Sequence, residues 1–361
     1  MAKILFTADN HLGARLVGVK ERYGDFLRAF ENVGEVALRE HPEALVMGGD
    51  LFDSTRPDGE CVLAAQRVID KVWSGGVQVY GIDGNHDYAD GSWLLAVKSR
   101  LLTEQPTYIG GKRFIGVNYR NGADFLETLT TMADMGVQAD VLVCHIALAE
   151  MNGGGGMADA SVVELTPILR KIGVKLVLMG HVHIPDVRDF NGITYVSPGS
   201  TEVKSLGEPE KKYVMSIDLD TNEVEEIPLK TRKQIEVELA TEEDLEKFLG
   251  SLTPLDAGTV DSAPMYRIRA SAALDEAYKR LSKAVKDNGL IAKVEVRALG
   301  ESEQVRQVVE RQAGLVTLES AVEQFFPKDS VEAGLVMDML RSPETSRVRE
   351  IAVGFVEGEN S

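Results

Sequence analysis

ALVMGGDLFD, residues 44–53, decides how this chain reads. Ala44 to Met47 is a short apolar run, too short for a helix, and it stops at a glycine pair. Such a run predicts a strand buried on both faces. Its end carries Asp50 and Asp53, so a buried strand delivers carboxylates at its carboxyl end. The same pattern recurs on either side. Residues 3–8 run into Asp9-Asn10-His11, and residues 77–82 run toward Gly84-Asn85-His86-Asp87. Residues 141–144 end in His145, and residues 176–179 end in Gly180-His181-Val182-His183. Between these strands, residues 22–39, 60–73, 125–135 and 161–171 have helical spacing. This strand–helix alternation predicts a layered α/β domain.

From residue 188 to 229 the rhythm changes to hairpin-like strands. Phe190-Asn191-Gly192-Ile193 and Leu219-Asp220-Thr221-Asn222 read as turns. These strands suggest the second sheet of a two-sheet sandwich. A polar stretch at residues 230–233 marks a boundary. After it, strands at 234–239, 265–270 and 291–297 alternate with a helix from Thr241 and another over 274–287, a small α+β unit. From Glu301 the pattern is helical. The expected organisation is therefore residues 1–230, 231–300 and 301–361.

In an open α/β sheet, ligands bind at the carboxyl ends of the strands. Five strands here send Asp, Asn and His to one rim. Five of the six histidines lie in these strand-end motifs, and only His41, in a helix-exit segment, stands apart. Imidazole nitrogen with carboxylate and amide oxygen suits Mn, Fe or Zn better than Ca or Mg. A carboxylate between two cations can bridge them, and Asp50 is the natural candidate. Two cations about 3.5–4 Å apart activate water and stabilise an in-line displacement at phosphorus. Glycines before Asp50, Asn85 and His181 let the backbone turn sharply there.

The set D-x-H, G-D-L-F-D, G-N-H-D, H and G-H-V-H, spanning Asp9 to His183, resembles the calcineurin-like metallophosphoesterase superfamily. Within it, the G-G-D-L-F-D form resembles the SbcD-type DNA repair nucleases and their phage recombination-exonuclease relatives. The resemblance implies an α/β, two-sheet αββα sandwich with a capping domain and a helical C-terminal segment. It implies two divalent metals, with Mn²⁺ expected. Asp9, His11, Asp50 and His183 would hold one metal, and Asp50, Asn85, His145 and His181 the other. His86 would be the general acid, with Asp87 orienting it. Asp53 would steady ligand geometry from outside the metal centre.

The resemblance also implies a nuclease that acts on double-stranded DNA as an exonuclease, and on single strands as an endonuclease. It implies an SbcC-type ABC/SMC-like ATPase partner and a homodimer. Trp93, Leu94, Leu95, Val97 and the helix over 60–73 are candidates for pairing. Lys279, Lys283 and Lys286 share one face of the helix over 274–287, with Arg280 beside it. A capping domain would use that face to track phosphates, and a solvated face is the alternative. Lys230, Arg232 and Lys233 would extend it or form a polar linker. Two apolar stripes, Leu318, Ala321, Val322, Phe325 and Phe326, then Val331, Leu335, Val336, Met339 and Leu340, would be ordinary core or a docking surface for the ATPase.

Composition sets the limits. Of 361 residues, 44% are hydrophobic and 27% charged, an ordinary globular balance. No apolar run reaches about 18 residues, so no membrane span is expected. The first residues lack the marks of a signal peptide. Two cysteines, Cys61 and Cys144, are too few for a disulfide framework, so a cytoplasmic setting is expected, the host's for a phage-encoded chain. Cys144 reads as sheet core rather than a catalytic thiol. The net charge of −18 works against DNA binding, which draws on Lys and Arg. Bound cations and a basic partner would offset it. Gly153–Gly156 is no phosphate loop, since no Gly-Lys-Ser/Thr follows. A connection or a loop near His145 is expected.

Two other functions compete. A phosphodiesterase or phosphatase for a small molecule or phosphoprotein would use the same metals, but would not need the chain after Lys230. A scaffold without activity would not need the intact ligand set.

Overall fold

The computed structural model describes residues 2–15, 21–87, 91–151, 158–204, 208–255, 263–274 and 276–297. The glycine run at 153–156 and the apolar stripes between Leu318 and Leu340 lie outside them. In chain order the first elements are β1 (Lys3–Thr7), α1 (Glu21–Glu40), β2 (Ala44–Gly48), α2 (Gly59–Ser74), β3 (Gln78–Ile82), α3 (Trp93–Ala96) and β4 (Arg100–Leu101). Then come β5 (Thr107–Ile109), β6 (Lys112–Val117), α4 (Gly122–Asp134), β7 (Val141–His145), α5 (Val162–Ile172) and β8 (Leu176–Gly180). Four strands follow: β9 (Asp186–Phe190), β10 (Ile193–Ser197), β11 (Tyr213–Asp218) and β12 (Val224–Pro228).

These strands form two six-stranded sheets, β12-β11-β1-β2-β3-β4 and β5-β6-β7-β8-β10-β9. The side-chain period of two sorts the apolar residues into layers. Ile4, Phe6 and Val46 of the first sheet pack against Val143, Leu178 and Val196 of the second, forming the core between the sheets. Leu5, Leu45 and Met47 point the other way, under Phe30 and Val33 of α1 and Ala65 and Ile69 of α2. Leu142, Cys144 and Val177 meet Phe125 and Leu129 of α4 and Leu165 and Leu169 of α5. The order is helix, sheet, sheet, helix, the αββα sandwich. Cys144 is core, fully buried.

Two expectations need correction. The five motif-bearing strands do not share one sheet, since β1, β2 and β3 lie in the first and β7 and β8 in the second. The hairpin strands after residue 185 also divide. β9 and β10 extend the second sheet, whereas β11 returns to pair antiparallel with β1. Periodicity measures burial, and the motif-bearing strands of both sheets are buried on both faces, so it does not say which sheet such a strand joins.

A third sheet follows: β13 (Gln234–Leu239), β14 (Met265–Ser271) and β15 (Ala292–Arg297), all parallel. Helices α6 (Glu242–Ser251) and α7 (Ala277–Asp287) connect them. Leu239, Leu245, Ile268 and Leu281 form a separate small core. The polar stretch ahead of β13 is more than a linker. Arg232 is buried, and its guanidinium donates to both carboxylate oxygens of Asp25 at 2.7 Å. Asp25 also accepts from buried Arg22, which donates in turn to Glu202 at 3.0 Å. Among the described residues, no helix is long and apolar enough to cross a membrane.

Candidate metal centre

The carboxyl ends of β1, β2, β3, β7 and β8 converge where the two sheets meet. Four residues there adopt the left-handed backbone region that non-glycine residues avoid: Asp9 (φ 51°), His11 (φ 45°), Asp50 (φ 52°) and His181 (φ 92°). Each such residue costs about 1–3 kcal/mol, and such strain persists where side-chain placement requires it. Local bonds hold the turns. The Asp9 N–H donates to the Gly49 carbonyl at 3.1 Å, and the His11 N–H to the Asp50 carbonyl at 3.0 Å. The His181 N–H donates to both carboxylate oxygens of Asp9, at 3.0 and 3.1 Å.

The expected ligands fall into two overlapping groups, and a further cluster, His11, Asp53 and His86, shares His11 with the first. In one, His11 Nε2 lies 3.0 Å from His183 Nε2 and 3.7 Å from the Asp50 carboxylate. Asp9, His11 and His183 bring ligand atoms within 4.8 Å of one another. In the other, His145 Nε2 lies 3.0 Å from Asn85 Oδ1, 3.4 Å from Asp50 Oδ2 and 3.9 Å from Asp9 Oδ1. His181 Nδ1 also lies 3.0 Å from Asn85 Oδ1. Asp50 touches both groups. Its other oxygen accepts from the His86 N–H at 2.8 Å.

This donor set fits a pair of cations. Atoms bound about 2.0–2.2 Å from one ion stand about 3–3.5 Å apart, close to the 3.0–3.9 Å between the groups here. The His145 Nδ1–H donates to the Gly48 carbonyl at 2.8 Å, so Nε2 turns its lone pair toward three acceptor oxygens. Two carboxylates, an amide oxygen and an imidazole nitrogen gathered at one point call for positive charge. Burial alone would lower the His145 pKa, but the Asp50 carboxylate, helped by Asp9 and the Gly48 carbonyl, pushes it up to about 9. Burial works against ionised Asp50, yet His145 and His11 hold its carboxyl below the usual range. The two shifts are the two sides of one pairing, the Asp50 carboxylate with the His145 ring.

Around this set, two residues have partners other than those expected. No hydrogen bond joins Asp87 to His86. Its buried carboxylate accepts from the backbone N–H groups of Gly84 (2.7 Å), Leu51 (2.6 Å) and Phe52 (3.3 Å). It ties the loop after β3 to the loop after β2, and a carboxylate saturated by backbone donors has little left for an imidazole. Burial, then the charges of Asp50 and Asp83, push its pKa up to about 7. Asp53 is the residue beside His86. Its carbonyl oxygen lies 3.2 Å from His86 Nδ1, and its carboxylate stands 3.8 Å from Nδ1 and 3.1 Å from His11 Nδ1.

Three neighbours carry no sequence signal. Lys204 Nζ lies 2.7 Å from the Asp53 carboxylate and 3.0 Å from His11 Nδ1. Glu208 accepts from His183 Nδ1 at 2.9 Å. The Tyr119 ring centroid is 5.8 Å from that of His181. No motif marks them, because they sit in connections after β10 and β6 that only folding brings to the rim.

Gly84 packs so closely that a Cβ there would collide with the Asp50 carboxylate and backbone nitrogen. Gly84→Ala is expected to destabilise the fold by about 1–3 kcal/mol and to weaken metal binding. Thermal unfolding and metal titration read the two effects. An unchanged midpoint with unchanged metal affinity would remove the close-approach argument.

A four-layer sandwich with Asp, Asn and His on one rim defines a metal-dependent phosphoester hydrolase. The calcineurin-like phosphoesterase family matches residues 2–185, and the chain belongs to that family, which uses a dinuclear metal centre. A DNA double-strand break repair protein Mre11 from Haloferax volcanii is 27% identical over 305 residues, covering 81% of this chain and 67% of that protein. The Mre11 of Aeropyrum pernix is 28% identical over 268 residues, 66% of this chain and 64% of that protein. The chain thus spans about two thirds of the length of these relatives. The crystal structure of TT1561 from Thermus thermophilus aligns with a TM-score of 0.46 at 14% identity, over 63% of this chain and 98% of that one.

Proposed function

We propose that this chain is a DNA nuclease of the SbcD type that works with two Mn²⁺ ions and an SbcC-type ATPase in the repair of double-strand breaks. The observation that carries this reading is the reach of the similarity. The likeness to a DNA repair protein covers 81% of the chain, well beyond residues 2–185, which hold the phosphoesterase match. A small-molecule phosphoesterase would need only the latter part. The proposal includes exonuclease action on duplex ends, endonuclease action on single strands, and a cytoplasmic setting. It also keeps the division into residues 1–230, 231–300 and 301–361, with the last segment binding the ATPase.

Asp9, His11, Asp50 and His183 would hold one cation, and Asp50, Asn85, His145 and His181 the other. When bound, the cations supply Lewis acidity at the phosphoryl oxygens and a water made acidic enough to attack at neutral pH. The chain's own groups do the rest. His86, 38% exposed, turns Nδ1 to the Asp53 carbonyl, which leaves Nε2 to carry a proton to the departing oxygen. The Asp53 carboxylate stands 3.8 Å from the same Nδ1. Asp87 holds the Asp50 and His86 loops in register. Digestion of end-labelled duplex DNA with Mn²⁺, with and without chelator, tests the reading beside a small chromogenic phosphodiester. Cleavage of the small ester alone, even with the ATPase present, would favour the small-molecule alternative.

The structure narrows the expected basic face. Arg280 donates to Glu242 at 2.7 Å and also to Glu246, and Lys279 donates to Glu276 at 3.0 Å. These pairs reduce the charge available to phosphate. Lys283 and Lys286 are exposed on α7. Reversing both to Glu is expected to weaken DNA binding and flatten its salt dependence, by about 0.9 in log–log slope for each phosphate no longer neutralised. An unchanged slope would mean the DNA path lies elsewhere. The candidate dimer surface shrinks likewise. Leu94 and Val97 are fully buried and belong to the core, while Leu95 is 62% and Leu63 59% exposed. Sedimentation of a Leu63→Glu/Leu95→Glu variant would leave the mass unchanged if pairing does not use this face.

A further inference from the structure

Lys212 is a buried lysine that the proposed reaction does not use. It starts no motif and lies just ahead of β11. Its side chain is fully buried, and its ammonium donates to three oxygens: Glu208 Oε2 at 2.8 Å, Ser200 Oγ at 2.8 Å and the His183 carbonyl at 3.2 Å. Burying an ammonium is costly unless it is fully paired. The surrounding structure must therefore gain from holding it. The Glu208 carboxylate, 7% exposed, is the other half. Besides Lys212, Glu208 Oε2 accepts from Ser200 Oγ and from the Lys204 N–H, both at 3.1 Å. Its Oε1 accepts from His183 Nδ1 at 2.9 Å.

The two residues grip His183 from both ends. Lys212 takes its backbone carbonyl and Glu208 takes its ring. A hydrogen bond to one imidazole nitrogen fixes which nitrogen keeps a lone pair. Here Nδ1 faces Glu208, and Nε2 lies 3.0 Å from His11 Nε2, inside the metal centre. His145 has the same arrangement, with the Gly48 carbonyl in the place of Glu208. The two histidines, one from each ligand group, are thus set by different means, one by backbone and one by a charged pair.

We infer that Glu208 and Lys212 are positioning residues for His183, holding its Nδ1–H tautomer and ring direction so that Nε2 serves as a metal ligand. The metal part of this inference rests on the phosphoesterase reading above, whereas the tautomer does not. The Lys204 N–H bond to Glu208 also fixes the backbone from which Lys204 reaches Asp53 and His11. The same brace therefore orders both sides of His11.

The test uses the full chain, Glu208→Gln and Glu208→Gln/Lys212→Met. The double variant removes both charges, so no unpaired buried ammonium remains to unfold the protein. In metal-free protein at a pH about two units above the ordinary imidazole value, ¹⁵N-histidine spectra should place the His183 proton on Nδ1 in the wild type. Both variants should lose that preference. Mn²⁺ titration by calorimetry should give two sites in the wild type. Both variants should keep one and bind the other about 10–100-fold more weakly, as loss of a ligand's outer partner typically does. If the double variant keeps the wild-type tautomer, or binds both ions with wild-type affinity, the brace is structural only and the inference falls. If the wild type binds no divalent metal, the phosphoesterase reading fails, and the tautomer measurement still decides the brace.

Discussion

Asp50→Asn is expected to weaken both metal sites at once and to abolish metal-dependent hydrolysis. Asp50 reaches both ligand groups, 3.7 Å from His11 Nε2 and 3.4 Å from His145 Nε2, and Asp9 also belongs to both, at 3.9 Å from His145 Nε2. Two cations held close repel each other, and a bridging negative charge is what lets them share a site. An amide of the same shape keeps the oxygen and loses the charge. Its loss should exceed the ~10–100-fold effect of removing an outer partner. The fold should survive, since the strained turn at Asp50 is held by backbone bonds as well. Elemental analysis and calorimetric titration with Mn²⁺ measure the outcome. A variant that loses one ion and keeps the other at full affinity would remove Asp50 from the bridging position.

His86→Ala is expected to separate chemistry from metal binding. The ring lies against Asp53 and, at a centroid distance of 4.9 Å, edge-on to His11; it clusters with these two residues and not with Asp9, Asp50 or His145. Both ions should bind as in the wild type. Cleavage of DNA should fall by about 10²–10⁴, the usual contribution of a positioned general acid. The effect should depend on the leaving group. A DNA alkoxide departs poorly without a proton, whereas a nitrophenolate needs none, so a nitrophenyl diester should be cleaved with a much smaller loss. Equal losses on both substrates would falsify the proton-donor role. Loss of metal from this variant would instead make His86 a ligand.

How far the sequence could carry these conclusions depends on where each group sits along the chain. Asp9, Asp50, Asn85, His145 and His181 follow directly on buried strands, so strand periodicity already places them at strand ends. His86 and Asp53 lie within the same short motifs. Their position could be read, but not their partners. Asp87 shows the limit. The motif Gly84-Asn85-His86-Asp87 puts a carboxylate next to the proposed general acid, yet the side chain turns away to collect three backbone donors. Neighbours in sequence at a tight turn point in different directions, and only backbone torsions decide which.

The sequence by itself determined the α/β class, the strand-end motifs and the chemistry of the donor set. All of these are local, set by burial period, turn residues and side-chain type. Tertiary structure alone decided that the donor strands belong to two sheets, because both sheets bury these strands alike and leave the same apolar pattern. It alone brought Lys204, Glu208 and Lys212 to the metal centre. They lie in the connection between β10 and β11, which reaches the rim because β11 crosses back to pair with β1 in the other sheet. A charged residue in a connecting segment has no periodicity to give it away. Its meaning comes from the buried partner that desolvation obliges it to find, and that partner is known only when the chain has closed.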